Sequence, residues 1–260
     1  MSVLLITAFV SAGLLDEAET KLKEFDAQHA LRLLDQVKAD GPLTLEDSIR
    51  LYASAGIAYA YLDRNDERDA AFHELLLLDP SHVLPYTLAP RVTFGFERMR
   101  QKLSVRPAVE MSWPRGRRVG EDVPVVIEVL RDPNQRFARA VLHWREGVDG
   151  EYTTARLQLP DPGAYTTVTL PAHADDVRTD QIRQLYLSVF DGQGNEIWRV
   201  ADARQPREIS FEYVEPIRWY ERWWVWTAVG TVLAASTAAL VIRNSRAPAD
   251  AIDLGVEIRP

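Results

Sequence analysis

From Asp16 to Leu103 apolar residues recur at helical spacing, and the pattern breaks at Phe25-Asp26, Gly41-Pro42, Asn65-Asp66 and Pro80 to Pro90. These breaks predict five short helices. The third starts at Thr44, whose hydroxyl can cap free backbone N–H groups, while Asp47 suits the positive end of the helix dipole. Its inward stripe of Ile49, Tyr52, Ala53, Gly56, Ile57 and Ala60 matches Ala71, Phe72, Leu75 and Leu78 on the fourth helix. Small Gly56 lets the two backbones approach closely. Beyond Ser104 the period changes to two: Val123, Val125, Ile127 and Val129 share one face, and Ala138, Ala140, Leu142 and Trp144 continue on a second strand. Leu157 with Leu159, Val168 with Leu170, Leu185 with Leu187 and Val189, and Ile209 with Phe211 and Tyr213 extend the alternation. Asp149-Gly150 and Asp191-Gly192 supply hairpin turns, because such pairs tolerate positive φ.

The two ends carry different signals. Val3 to Val10 is an apolar run followed by Ser11-Ala12-Gly13 and the charged Asp16-Glu17-Ala18-Glu19, which fits a secretory signal over residues 1–13. No Lys or Arg precedes Lys21, and the competing reading makes the same run the first helix of the fold. Near the other end, Trp223 to Ile242 is 20 residues without a charge, bounded by Arg222 and Arg243. A helix of that length spans about 30 Å, the hydrocarbon thickness of a bilayer. Trp223, Trp224 and Trp226 crowd its start, where amphipathic rings prefer the headgroup layer. Gly230, Ala234 and Ala238 fall four apart, the small-residue spacing that permits helix packing and oligomerisation within a membrane. A buried core helix is the alternative.

Within the helical stretch, Tyr52-x2-Ala55-Gly56-x2-Tyr59, Phe72 and Pro80 resemble a tetratricopeptide repeat, a pattern of about 34 residues. Arg68 departs from that pattern where a small residue is expected. A weaker copy with Ala30, Leu31, Leu34 and Val37 aligns at an offset of 41 residues. Such repeats imply a concave surface that takes a peptide or helix, with Tyr52 and Tyr59 placed to line it. The later strands resemble an immunoglobulin-like sandwich without its paired cysteines, with Trp144 as a core candidate.

Composition narrows the chemistry. The chain has 260 residues, 47% apolar and 26% charged, and a formal net charge of -8. That charge argues against a nucleic-acid partner, which would require a basic stripe. Without cysteine there are no disulfides, thiolate nucleophiles or cysteine metal sites. His29, His73, His82, His143 and His173 are scattered, and His73-Glu74 lacks the second histidine of a helical zinc motif. Gly192-Gln193-Gly194 lies between strands, so it reads as a hairpin tip and not a phosphate loop. Adjacent Asp175-Asp176 reads as a solvated loop pair. Arg115, Arg117 and Arg118 form a small basic cluster after Trp113-Pro114, either a solvated loop or a contact for an anionic partner or headgroup.

Together these features give an α+β multidomain expectation: tetratricopeptide-like hairpins over 14–104, an immunoglobulin-like sandwich over 105–215, a transmembrane helix with flanks over 218–243 and a tail over 244–260. The layout is similar to that of myxobacterial-type envelope proteins. It implies a non-catalytic, cofactor-free scaffold anchored in the inner membrane, with both domains in the periplasm and other envelope proteins as partners. If Val3 to Gly13 is a first helix, the topology inverts to a tail anchor with cytoplasmic domains. Binding of cell-wall glycan through Tyr152, Tyr165 and Tyr186 is the competing function, and membership of an envelope enzyme complex as a non-catalytic subunit is another.

Overall fold

The computed structural model describes residues 2–103, 105–132, 134–173, 177–215, 223, 224, 226 and 227. Its helices are α1 (Ser2–Lys23), α2 (Ala27–Ala39), α3 (Leu45–Tyr61), α4 (Asn65–Leu78) and α5 (Pro90–Lys102). Helix α1 ends with Phe25 at φ 63°, and Asp26 N donates back to the Lys21 carbonyl at 2.9 Å. The Asp26 carboxylate then caps α2 by accepting from His29 N at 3.0 Å. Thr44 caps α3: its hydroxyl oxygen accepts from Asp47 N at 3.1 Å. Helix α5 opens on Pro90, which needs no hydrogen bond at that position.

Two apolar cores form among the helices. Leu15, Ala18 and Leu22 of α1 pack with Leu31, Leu34 and Val37 of α2 and Leu51 and Ala58 of α3. Phe72, Leu75 and Leu76 of α4 pack with Val92 and Phe96 of α5. Gly56 sets the α3–α4 spacing, because a Cβ there would run into the Phe72 ring. Arg68 is buried, and its guanidinium lies where a Cβ on Gly95 of α5 would be. It donates to Asn65 Oδ1 at 2.5 Å and Asp69 Oδ1 at 2.9 Å. The departure at Arg68 is thus accommodated by a glycine on the neighbouring helix.

The second half forms β1 (Ala108–Ser112), β2 (Arg117–Arg118), β3 (Val123–Arg131), β4 (Arg139–Glu146), β5 (Thr153–Gln158), β6 (Tyr165–Leu170), β7 (Gln181–Phe190), β8 (Glu196–Val200) and β9 (Arg207–Glu212). One sheet has the order β1-β3-β6; the other runs β2-β9-β7-β4-β5, with β8 also on β7. Strand β7 is shared along its length: Gln181 to Leu185 pair with β9 and Leu187 to Phe190 with β8. Strand β2 lies parallel to β9. Val125, Ile127, Leu142, Leu187 and Phe211 fill the space between the sheets. At the two expected Asp-Gly turns the positive φ falls on Gly147 at 63° and Gly194 at 98°, beside the Asp-Gly pairs and not within them.

A polar seam joins helices to sheet. Leu43 N donates to Asn195 Oδ1 at 2.9 Å, and Glu196 N donates to the Leu43 carbonyl at 2.9 Å. Arg199 of β8 bridges Glu46 of α3 at 2.6 Å and the buried Glu196 at 2.5 Å. Arg136 reaches Glu74 of α4 at 2.6 Å.

The expected fold class is corrected by this arrangement. Residues Met1–Tyr213 are one compact unit, five helices followed by two sheets, and not tetratricopeptide-like hairpins beside a separate immunoglobulin-like sandwich. The reason is physical: the α2–α3 loop completes its backbone hydrogen bonds on the β7–β8 turn, which ties the helices to the sheet within one unit. Among the described residues no helix is long and apolar enough to cross a membrane, so the transmembrane element of that layout is not found there. Gly230, Ala234 and Ala238 lie outside the described residues, while Trp223, Trp224 and Trp226 are exposed, in a second unit of Val214–Pro260. Helix α1 runs unbroken through Val3 to Val10.

Candidate functional site

Two concave surfaces flank α3. The first is an apolar groove of about 420 Å³ between α1, α3 and the loop joining α4 to α5. Ile49, Ala53 and Ile57 recur along α3 at four-residue spacing, which sets them in a row facing Leu22 and Leu84. Phe25 closes one end, 77% exposed and 5.8 Å from the Tyr61 ring. Its exposure follows from the left-handed backbone at the end of α1, which turns the ring out of the core. Arg50 sits on the rim, 2.8 Å from Glu19 and 2.5 Å from Asp16. These carboxylates, Glu19 first, hold its guanidinium protonated more firmly than usual. The floor is apolar along Ile49, Ala53, Ile57, Leu22 and Leu84, while Lys23, Ser54, His82 and Thr87 also line the groove.

The second is a polar cleft of about 640 Å³ on the opposite side of α3, between the helices and the β3–β4 and β7–β8 loops. Tyr52 forms one wall with Lys38 Nζ 5.4 Å from its ring. Burial, with the Glu74 carboxylate adding to it, pushes the Tyr52 phenol above its ordinary value, so it stays a neutral donor. Gln135, Arg136, Gln193 and Asn195 face it from the β loops. The Asp191 carboxylate accepts from Gln193 N, Gly194 N and Asn195 N at 2.9, 2.7 and 2.8 Å, which fixes that loop.

No family model matches the chain, and no curated protein does. Among solved structures, two variants of superoxide reductase (neelaredoxin) from Ignicoccus hospitalis are similar at low level. One has a TM-score of 0.29 and 18% identity over 40% of this chain and 80% of that one. The other has a TM-score of 0.28 and 15% identity over 44% of this chain and 86% of that one. At these scores the likeness bears on neither fold nor function. Among the described residues no group of three or more His, Asp or Glu is placed to hold a metal ion.

The residues singled out from sequence scatter over the surface. Tyr52 lines the polar cleft, whereas Tyr59 is half-buried with the Arg64 guanidinium 4.8 Å from its ring; neither lies in the apolar groove. The stripe expected to face inward from α3 is split: Ile49, Ala53 and Ile57 line the apolar groove, and Tyr52 the polar cleft. Arg115 and Arg118 are exposed, and Arg117 lies 3.8 Å from Glu121. Arg117 and Arg118 are consecutive in β2, so they point to opposite faces and make no common pocket. Tyr152 and Tyr186 do meet, 5.0 Å apart, and Tyr186 also stacks on His143 at 4.3 Å, while Tyr165 stands alone on the other sheet. These rings pack on one another, which leaves no broad open aromatic platform for a sugar. Asp175 and Asp176 lie outside the described residues.

One charge cluster, with Arg183 and His173 buried and Glu146 exposed, had no sequence signal. Arg183 of β7, 1% exposed, reaches Glu146 at 2.5 Å, and His173 Nε2 lies 2.8 Å from the other oxygen of the same carboxylate. Burial lowers the His173 pKa, against the opposing pull of Glu146, and the ring packs on Phe211 at 4.4 Å. A single carboxylate is thus matched by one permanent cation and a neutral imidazole.

Proposed function

We propose that this chain is a protein-interaction scaffold of the bacterial cell envelope, and that its groove takes an amphipathic helical segment of a partner protein. The observation that carries the reading is the row Ile49, Ala53 and Ile57, open between α1 and the α4–α5 loop, with Phe25 exposed at its end. A partner helix with apolar residues three and four apart matches such a row, the helix-in-groove mode of recognition. Paired charges on the rim at Arg50, Asp16 and Glu19 keep the surroundings soluble without competing for the apolar face. The groove is short, so affinity is modest unless confinement raises the local concentration of partners. What supports confinement at a membrane is the sequence from Trp223 to Ile242, uncharged and preceded by tryptophans.

The test is photocrosslinking in cells from single positions. A crosslinker at Ala53 or Ile57 should capture a discrete partner through a helical segment, and Phe25→Asp, at the exposed ring that closes the groove, should abolish the adduct while leaving the circular dichroism spectrum unchanged. A crosslinker at Arg32, exposed on α2, serves as the control. Equal capture from Arg32 and from the groove would overturn the reading.

A further inference from the structure

We infer that the free edge of β6 pairs with β6 of a second copy of this chain, antiparallel and about a two-fold axis through Thr167. Strand β6 ends the sheet β1-β3-β6, so one side of it is bonded to β3 and the other is open among the described residues. Strand β3 fixes which groups face the open side. Val129 N donates to the Ala164 carbonyl at 3.3 Å, and Pro124, which has no N–H, stands opposite Thr169. Hydrogen-bonding residues alternate along an antiparallel strand, so Thr166, Val168 and Leu170 turn their backbone groups to β3. Tyr165, Thr167 and Thr169 turn theirs to the open edge, where no described residue pairs with them.

An open edge is ordinarily blunted by charge, because a charged side chain resists pairing with another strand. The other strands with an open side all carry some: Glu110 in β1, Arg117 and Arg118 in β2, Arg156 in β5 and Arg199 in β8. The 6 residues of β6, Tyr165-Thr166-Thr167-Val168-Thr169-Leu170, carry none and include no Gly or Pro. Two copies of a chain with net charge -8 repel one another, so a contact between them needs an uncharged strip, which β6 supplies.

The strand is also complementary to itself. With Thr167 opposite Thr167 of the second copy, Tyr165 falls opposite Thr169 and Thr166 opposite Val168. The opposed odd-numbered residues are those whose backbone groups are open, so each such pair exchanges two hydrogen bonds. Moving the axis to Val168 would set Tyr165 against Pro171, which has no N–H to give. Threonine pairs and aromatic–β-branched pairs across strands add to the contact, and the Tyr165 ring, 69% exposed, gains Thr169 as a neighbour. A two-fold contact uses the same edge on both copies and closes both, which favours a dimer over open-ended stacking. This edge lies apart from the apolar groove among the helices, and neither reading rests on the other.

The experiment is disulfide trapping and light scattering on the purified full-length chain in mild detergent. The chain has no cysteine, so each single substitution reports on one position. Opposed hydrogen-bonded residues lie about 5.5 Å apart between Cα atoms, within disulfide range. Thr167→Cys should therefore give a covalent dimer on oxidation. Tyr165→Cys and Thr169→Cys should each fail to crosslink alone and should form a mixed disulfide when combined. Thr154→Cys, exposed on the edge strand β5, is the control and should not crosslink. Thr167→Pro removes a donor from the open edge but no bond to β3, so it should weaken the dimer at least about tenfold while leaving the circular dichroism spectrum unchanged. A wild type that stays monomeric throughout the micromolar range would overturn the inference. So would equal trapping at Thr154, trapping of Thr169→Cys alone as readily as Thr167→Cys, or a dimer indifferent to Thr167→Pro. A photocrosslinker at Thr167 that captures another protein in intact cells, in place of a second copy, would overturn it as well.

Discussion

Replacing Gly56 by alanine tests the close approach of α3 and α4. In an exposed helix interior the change is stabilising by about 1 kcal/mol, because alanine is the better helix former. Here the added methyl group meets the ring of Phe72, which is fully buried and held edge-on by Phe96 at 5.3 Å and 76°. Overpacking of this kind costs about 1–3 kcal/mol, and the upper end applies because the ring has no free space to enter. The two effects leave a net loss of about 2 kcal/mol, a fall in melting temperature of about 4–8 °C for a unit of this size. Urea unfolding followed by circular dichroism measures it. Phe72→Leu in the same chain should relieve the clash, so that the double variant is more stable than additivity allows by about 1 kcal/mol or more. If Gly56→Ala alone stabilises the protein, the close approach of α3 and α4 is wrong.

Three further predictions follow from other contacts. Arg199→Ala removes the partner of buried Glu196 and should cost about 3 kcal/mol, whereas Glu46→Gln, at an exposed carboxylate, should cost under about 1 kcal/mol; similar losses in denaturant titrations would contradict the seam described above. Gly95→Ala should destabilise the wild type by displacing Arg68 but be tolerated in an Arg68→Ala background, which a double-mutant cycle reads directly. His173 is held neutral in the fold, so its contribution to stability is full above the ordinary value of 6.5 and is lost as pH falls below it. The urea midpoint should therefore drop between about pH 7 and about pH 5.5, where ordinary carboxylates remain ionised, and His173→Gln should flatten that drop. An unchanged slope in the variant would refute the assignment.

What the sequence shows is the part of the fold that rests on local pattern. The alternation at Val123, Val125, Ile127 and Val129 marks β3 because one face of it is fully buried, and the cap at Thr44 marks α3 because its hydroxyl acts within three residues. Strands β1, β2 and β8 are short or half-exposed and carry too little contrast to read. The seam and both concave surfaces arise from residues far apart in the chain, such as Leu43 and Asn195, whose meeting has no local signature. Arg68 stood out as a misfit in its repeat pattern, yet its solution lay on α5 at Gly95, and no spacing rule connects the two. Tyr52, half-buried, lies at the polar cleft, on the face of α3 opposite the apolar groove.

The position of β9 has a mechanical consequence. This strand is flanked by β2 on one side and β7 on the other, and the chain leaves it at Glu212 with Tyr213 N donating to Asp180 Oδ1 at 2.8 Å. Tension applied along the strand axis would therefore load those hydrogen bonds together in shear, instead of peeling them one at a time from an edge. A tether fixed beyond Tyr213 would pull on an interior strand of the larger sheet and not on an edge.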